Sequence, residues 1–125
     1  MRRTTMALTD TCCTLVPYFK IHEGKLEEFR RLGERFVEKT QTEPKCMHYG
    51  FSFNGLQAHC REGYADAEGI LTHLENVGPL LDEAFKIAEI TRLEIHAPAA
   101  EIEKLREPLS ALNPELFTME TGFRR

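Results

Sequence analysis

The pair Asn54-Gly55 sits between two segments, 46–53 and 56–64, in which apolar and polar residues alternate. Alternation with a period of two marks a half-buried strand. Asn-Gly is a favoured two-residue hairpin turn, because the type I′ form needs positive φ at both central positions. The two segments are therefore expected to form an antiparallel hairpin. With Asn54 and Gly55 as the turn residues, Phe53 is expected opposite Leu56, Phe51 opposite Ala58, Tyr49 opposite Cys60 and Met47 opposite Glu62. The other face then sets Ser52 against Gln57, Gly50 against His59 and His48 against Arg61. One face is apolar and aromatic and ends in Tyr49, Glu62 and Tyr64. The other is polar and carries two histidines and an arginine.

The segments around this hairpin complete a fold. Residues 12–21 are rich in β-formers, and Pro17 predicts an edge position or a bulge. After Gly24, apolar residues Leu26, Phe29, Leu32, Phe36 and Val37 recur at three- and four-residue steps as far as Lys39. That spacing predicts an amphipathic helix, which Pro44 stops. Asp66 is expected to cap a second helix with Ile70, Leu71, Leu74 and Val77 inward. Gly78-Pro79 interrupts it, and Leu80, Leu81, Ala84, Phe85 and Ala88 resume helical spacing, so a kink or two abutting helices is expected. Residues 90–97 alternate again as a fourth strand, and Pro98 closes it. A short charged helix is expected at 99–106. Phe117, Met119 and Thr121 predict a fifth, edge-type strand.

The order β-α-β-β-α-β is the ferredoxin-like split unit. The expected fold class is α+β, an antiparallel sheet with helices on one face. A flexible leader is expected over 1–11, with Met6 an alternative start, the ferredoxin-like domain over 12–97, and a C-terminal extension of the same domain over 98–125. The second face of the sheet is then left to solvent or to a partner.

Several functions are excluded or unsupported. Sixteen Lys and Arg against twenty Asp and Glu give a net charge of −4 over 125 residues, a balance that argues against a nucleic-acid surface. The apolar runs are far too short for a membrane span. Cys12, Cys13, Cys46 and Cys60 form no C-x-x-C. Asp10 interrupts the basic N-terminus before an apolar export signal develops, so a cytoplasmic protein with reduced thiols is expected. Glycine-rich phosphate loops, dinucleotide fingerprints and a G-x-S-x-G elbow do not occur.

Met47-His48-Tyr49, Cys60-Arg61-Glu62-Gly63-Tyr64-Ala65-Asp66 and His73-Leu74 together resemble the antibiotic biosynthesis monooxygenase (ABM) superfamily of dimeric α+β barrels. That family shows a Tyr in the second strand, Glu-x-Trp-x-Asp at the end of the third, and a His on the second helix. Tyr49, Glu62, Asp66 and His73 match, and Tyr64 stands where the family has Trp. The resemblance covers residues 12–97. It implies a homodimer with sheets packed face to face, and a pocket between sheet and helices in each protomer. It also implies oxidation of a small aromatic or quinol-type substrate by O₂, with no metal or other cofactor.

Under that resemblance His73 and Glu62 are the catalytic candidates, and Tyr49, Tyr64 and Phe51 would bind the substrate. A base must remove a phenolic proton so that the electron-rich anion can reduce O₂, and imidazole titrates in the right range. Glu62 would orient the imidazole or raise its basicity. In the plainer reading His73 only packs its helix, and Glu62 pairs with Arg61 or Arg92. His48, His59 and Arg61 on the polar face suit solvent or interface contacts better than a metal site, since no carboxylate or Cys completes a ligand set. His22-Glu23 lacks the second His of H-E-x-x-H and reads as a turn. Two other functions remain open: a dimeric protein that binds a small hydrophobic ligand without chemistry, and a haem-binding or haem-degrading protein.

Overall fold

The computed structural model describes residues 8–125. In chain order the elements are β1 (Cys13–Ile21), α1 (Leu26–Thr40), β2 (Cys46–Asn54), β3 (Gln57–Tyr64), α2 (Ala67–Asn76), α3 (Gly78–Ala84), β4 (Ala88–Ala97), α4 (Ala99–Arg106) and β5 (Glu115–Thr118). A 3-10 turn at Ser110–Leu112 precedes β5. The strands form one sheet in the order β2-β3-β1-β4-β5. The pairs β2–β3, β3–β1 and β1–β4 are antiparallel, and β5 runs parallel to β4. The fold is the α+β, ferredoxin-like arrangement that the element order predicts. The start of the expected leader, Met6 included, lies outside the described residues. Leu8 bridges to Gly122, and the Thr9 amide donates to the Gly122 carbonyl at 3.0 Å.

The hairpin forms, but its turn moves by one residue. Asn54 pairs with Gln57, so the turn residues are Gly55 and Leu56. Only Gly55 has positive φ, at +60°, as a II′ turn requires of its first central residue. Each cross-strand pair therefore slides by two residues on β3. Phe53 meets Ala58, Phe51 meets Cys60 and Tyr49 meets Glu62, in place of the expected Leu56, Ala58 and Cys60. A slide of two preserves the faces. A bulge at Met47 then brings Cys46 opposite Tyr64.

Pro17 does not mark an edge. β1 lies between β3 and β4, and the missing N–H is accommodated by a gap in the β1–β3 ladder, which pairs Leu15 with Glu62 and then resumes at Tyr18 with His59. A bulge does follow, between Tyr18 and Phe19 on the β4 side. The helical spacing after Gly78-Pro79 also overran. α3 ends at Ala84, and Ala88 already begins β4. The chain makes two abutting helices, with Val77 between them. β5 is shorter than its pattern suggested, because Met119 and Thr121 fall beyond it.

α1 buries Phe29, Leu32 and Phe36 against the sheet, while Glu27 and Glu28 in its first turn and Lys39 in its last complement the helix dipole. α2 begins as predicted, with the Asp66 carboxylate accepting from the Gly69 amide at 2.9 Å. The Glu101 carboxylate, reaching across from α4, accepts from the Ala67 amide at 2.9 Å. Two apolar clusters fill the space between helices and sheet. One joins Leu15, Tyr64, Ile70, Ile95 and Leu105, and the other joins Phe19, Phe29, Phe36, Leu80 and Ile87. The opposite face of the sheet carries Tyr18 over His59, with ring centroids 4.7 Å apart, and His96 stacked on Phe117 at 4.8 Å.

Candidate functional site

His73 belongs to the inward stripe of α2 with Ala67 and Ile70, at three-residue steps. That stripe drives an imidazole into the core, where it is 2 % exposed. Tyr49 on β2 and Tyr64 on β3 flank it, each with a ring centroid 5.2 Å from the imidazole. A buried imidazole needs partners for both nitrogens. Nδ1 lies 3.0 and 3.1 Å from the two carboxylate oxygens of Glu43, in the turn after α1. The Asn76 amide, one turn beyond His73 on α2, donates to Glu43 Oε2 at 2.8 Å and to the Lys39 carbonyl at 3.2 Å. Nε2 lies 3.4 Å from Glu62 Oε1, which accepts from the Tyr64 hydroxyl at 2.6 Å.

The charges follow from burial. Removal from water pushes the Glu62 carboxyl up to about 8; hydrogen bonds from Tyr64 and Cys60 offset part of this, and the Glu43 carboxylate adds to it. Glu62 is thus mainly protonated at neutral pH. Burial holds His73 below its ordinary value, and Glu43 draws it partly back. An ionised carboxylate only accepts, so the neutral imidazole carries its proton on Nδ1 toward Glu43. Nε2 keeps its lone pair, because 3.4 Å is too long for a strong hydrogen bond to Glu62. Burial also pushes the phenols of Tyr49 and Tyr64 and the thiol of Cys60 well up, so all three stay neutral.

Tyr49, Cys60, Glu62 and His73 form the polar part of a cavity of about 40 Å³. The remaining walls are apolar, from Leu15, Phe19, Phe36, Phe51, Leu74, Ile90 and Leu93, with Phe85 and Leu112 half-exposed at the rim. Pockets for drug-sized ligands span roughly 300–1,000 Å³. In this conformation the cavity is therefore nearly closed, and a ring-sized ligand requires movement at the rim. A protonated carboxyl and a neutral imidazole thus meet in the wall of an otherwise apolar cavity, where charges are weakly screened.

Scans against protein-family profiles and against curated proteins return no match. Solved structures do match. MupZ from Pseudomonas fluorescens is 49% identical, with a TM-score of 0.89 over 93% of this chain and 96% of that one. A Nitrosomonas europaea protein provisionally named an antibiotic biosynthesis monooxygenase superposes with a TM-score of 0.65 at 14% identity, over 75% of this chain and 96% of that one. A further structure named antibiotic biosynthesis monooxygenase gives 0.59 at 17% identity, over 66% of this chain and 92% of that one. The chain belongs to the family of MupZ, and it shares the fold of the structures named antibiotic biosynthesis monooxygenase.

In this relative of MupZ the motif residues take different places. Tyr49, Glu62 and His73 reach the cavity, and Phe51 lines it beside Tyr49, with ring centroids 5.8 Å apart. Tyr64 is fully buried and is not a cavity wall; it holds Glu62 from behind. Asp66 caps α2 and binds Lys45 at 2.8 Å. Glu62 pairs with neither Arg61 nor Arg92, and Arg92 instead meets Glu94 and Glu115. On the outer sheet face His48 lies over Gly63, while His59 packs on Tyr18. Among the described residues no three His, Cys, Asp or Glu side chains converge as a metal site. His22 sits in the turn before α1, its amide donating to the Ile87 carbonyl at 2.8 Å. All four cysteines are unpaired.

Glu43 and Asn76 escaped the sequence reading. Glu43 precedes a proline in a polar turn, with no periodicity to mark it. The one available signal was indirect, since a histidine in the apolar stripe of a helix demands a buried polar partner.

Proposed function

We propose that this protein is a cofactor-independent monooxygenase acting on a small phenolic or quinol-type ring. The observation that carries this reading is the Glu43–His73–Glu62 line on the floor of an apolar cavity. His73 Nε2 accepts the phenolic proton, and the resulting imidazolium is stabilised by the Glu43 carboxylate at Nδ1. The ring anion reduces O₂ directly. For a ring CH₂ conjugated with the phenolate, CH₂ and O₂ give C=O and H₂O, so no outside reductant is consumed. Glu62, protonated at neutral pH, supplies a proton to the departing oxygen. Tyr49 and Phe51 present their rings to the substrate. Catalysed oxygen uptake with a panel of anthrols and quinols tests the reading. It should fall by about a hundredfold or more in His73→Ala, as loss of a general base does; unchanged uptake would remove His73 from the mechanism.

The functional unit of this proposal is a homodimer. The outer face of the sheet carries Val16 and Tyr18 on β1 and Phe117 on β5, with Glu94 and His96 of β4 between them, and Tyr18 and Phe117 are exposed. A second copy would cover that surface and close the barrel.

One alternative is favoured by a specific observation. Apart from four residues, the cavity wall is apolar, which suits a carrier of a small hydrophobic molecule. Binding of such a molecule without oxygen uptake would support it. Haem is disfavoured, since both His73 nitrogens face carboxylates and the cavity is small.

A further inference from the structure

The C-terminal extension meets the cavity at one residue. Leu112, in the turn between α4 and β5, shares the rim with Phe85 at the end of α3. An engineered cavity of about 150 Å³ binds benzene, whereas this one measures about 40 Å³. A ring therefore enters only when part of the wall moves aside. The two half-exposed rim residues are the parts of the wall with space to move into.

They differ in how they are held. Phe85 is flanked by Ala84 and, two residues on, Ile87, both buried. Its amide donates to the Leu81 carbonyl at 2.9 Å, and the Ile87 carbonyl accepts from the His22 amide at 2.8 Å, which ties the end of α3 to the turn before α1. The Leu112 turn has no such ties. Ser110, Ala111 and Asn113 beside it are all exposed. Among the described residues its hydrogen bonds stay within the segment. The Ser110 amide and hydroxyl donate to the Glu107 carbonyl at 3.2 and 2.9 Å, the Leu112 amide to the Leu109 carbonyl at 3.0 Å, and the Asn113 amide to the Ser110 carbonyl at 3.0 Å. A swing of the turn breaks no hydrogen bond to the body of the protein.

Both ends of the segment are fixed. Leu109 is buried in the cluster that holds Ile102 and Leu105, and Glu115 opens β5 opposite Glu94 of β4. Between these anchors Asn113 has φ +50° and ψ +53°, the one left-handed non-glycine residue among the described residues. Asparagine visits that region more readily than most side chains. Pro114 follows, and a residue before proline favours extended backbone, so a second conformation of Asn113 lies close in energy.

We propose, on the reading that the cavity receives a small apolar ring, that the turn Ser110–Leu112 is its gate. The turn hinges at Asn113 while β5 stays on the sheet, and Leu112 decides whether a ring passes. The rate of entry scales with the fraction of molecules whose turn is open.

The test is association of 1-naphthol with the full chain under nitrogen, followed by stopped-flow naphthol emission. Shifts of the His73 ring in protein labelled with ¹⁵N-histidine show that the probe lies in the inner cavity. Asn113→Ala leaves every wall residue in place but disfavours the left-handed turn, and should speed association about fivefold. Asn113→Gly tolerates the same turn and should stay within about twofold of the natural chain. Leu112→Ala removes the leaf of the gate and should speed association about tenfold. Unchanged association in Leu112→Ala, or equal rates in Asn113→Ala and Asn113→Gly, would overturn the gate. So would failure of 1-naphthol to shift the His73 ring in every variant. Gated binding without oxygen uptake would sink the oxygenase reading and leave the gate standing, so the two failures are distinguishable.

Discussion

His73 Nδ1 lies between the two oxygens of Glu43, at 3.0 and 3.1 Å, across 30 residues of sequence. One carboxylate thereby decides which imidazole nitrogen carries the proton and which keeps its lone pair for the cavity. The same carboxylate is held by Asn76, one turn further along α2. Orientation of the imidazole is thus built into the helix that bears it and the turn that faces it.

Glu43→Gln should lower the His73 pKa further, because the carboxylate is what draws it up against burial. NMR titration of the His73 ring measures this directly. Glu43→Ala should in addition cost about 1–3 kcal/mol, since it leaves the buried His73 Nδ1–H and the Asn76 amide without their acceptor. Urea denaturation reads that loss; an unaltered midpoint would show that water replaces the carboxylate.

Glu62 makes stability depend on pH in a definite direction. Its carboxyl moves from an ordinary 4.5 to about 8 in the folded protein. The folded state therefore binds more protons than the unfolded state between these values, and stability falls as pH rises through that window. His73 acts oppositely, but only below its ordinary 6.5. From there to about 8 the fall belongs to Glu62 and amounts to about 2 kcal/mol at most. Glu62→Gln should flatten the profile there. Tyr64→Phe removes a hydrogen bond that favours the carboxylate and should push the Glu62 pKa higher still.

Gly63 supports the His48 ring on the outer face of the sheet. A Cβ at that position would strike His48 Nε2 and the two carbons beside it. Gly63→Ala should destabilise the protein by about 1–3 kcal/mol, as overpacking does. His48→Ala should recover most of the loss when combined with it. A double-mutant cycle in thermal denaturation gives the coupling; additive effects would show that the ring moves aside freely.

Val16→Asp tests the proposed dimer. The new carboxylate would sit on the outer sheet face, opposite Glu94 on β4. Like charges on paired strands repel, and the outer face offered to a second copy loses one of its apolar side chains. Sedimentation velocity at micromolar concentration should find two chains for the natural sequence and one for the variant. A single chain in both cases would sink the proposal.

Much of the fold was legible because it rests on local periodicity. Alternation around Asn54-Gly55, the three- and four-residue steps from Leu26 to Val37, and the capping Asp66 each read out at short range. The errors also have physical causes. The turn slid to Gly55-Leu56 because II′ needs only one residue with positive φ, and the local pattern is equally satisfied by either register. Pro17 entered a central strand because the ladder opens beside it. Nothing within a few residues of Ala88 distinguishes the end of a helix from the start of a strand.

The amino-acid pattern by itself determined which faces are apolar, the order of elements, and that Tyr49 and Glu62 share the apolar face of the hairpin. These follow from periods of 2 and 3.6, which a single strand or helix carries alone. The tertiary structure decided the rest. It brought Glu43 to His73 Nδ1 and made Tyr64 a support for Glu62 instead of a wall of the cavity. Those relationships depend on where a turn, a helix and two strands meet, and long-range packing leaves no periodic trace in the chain.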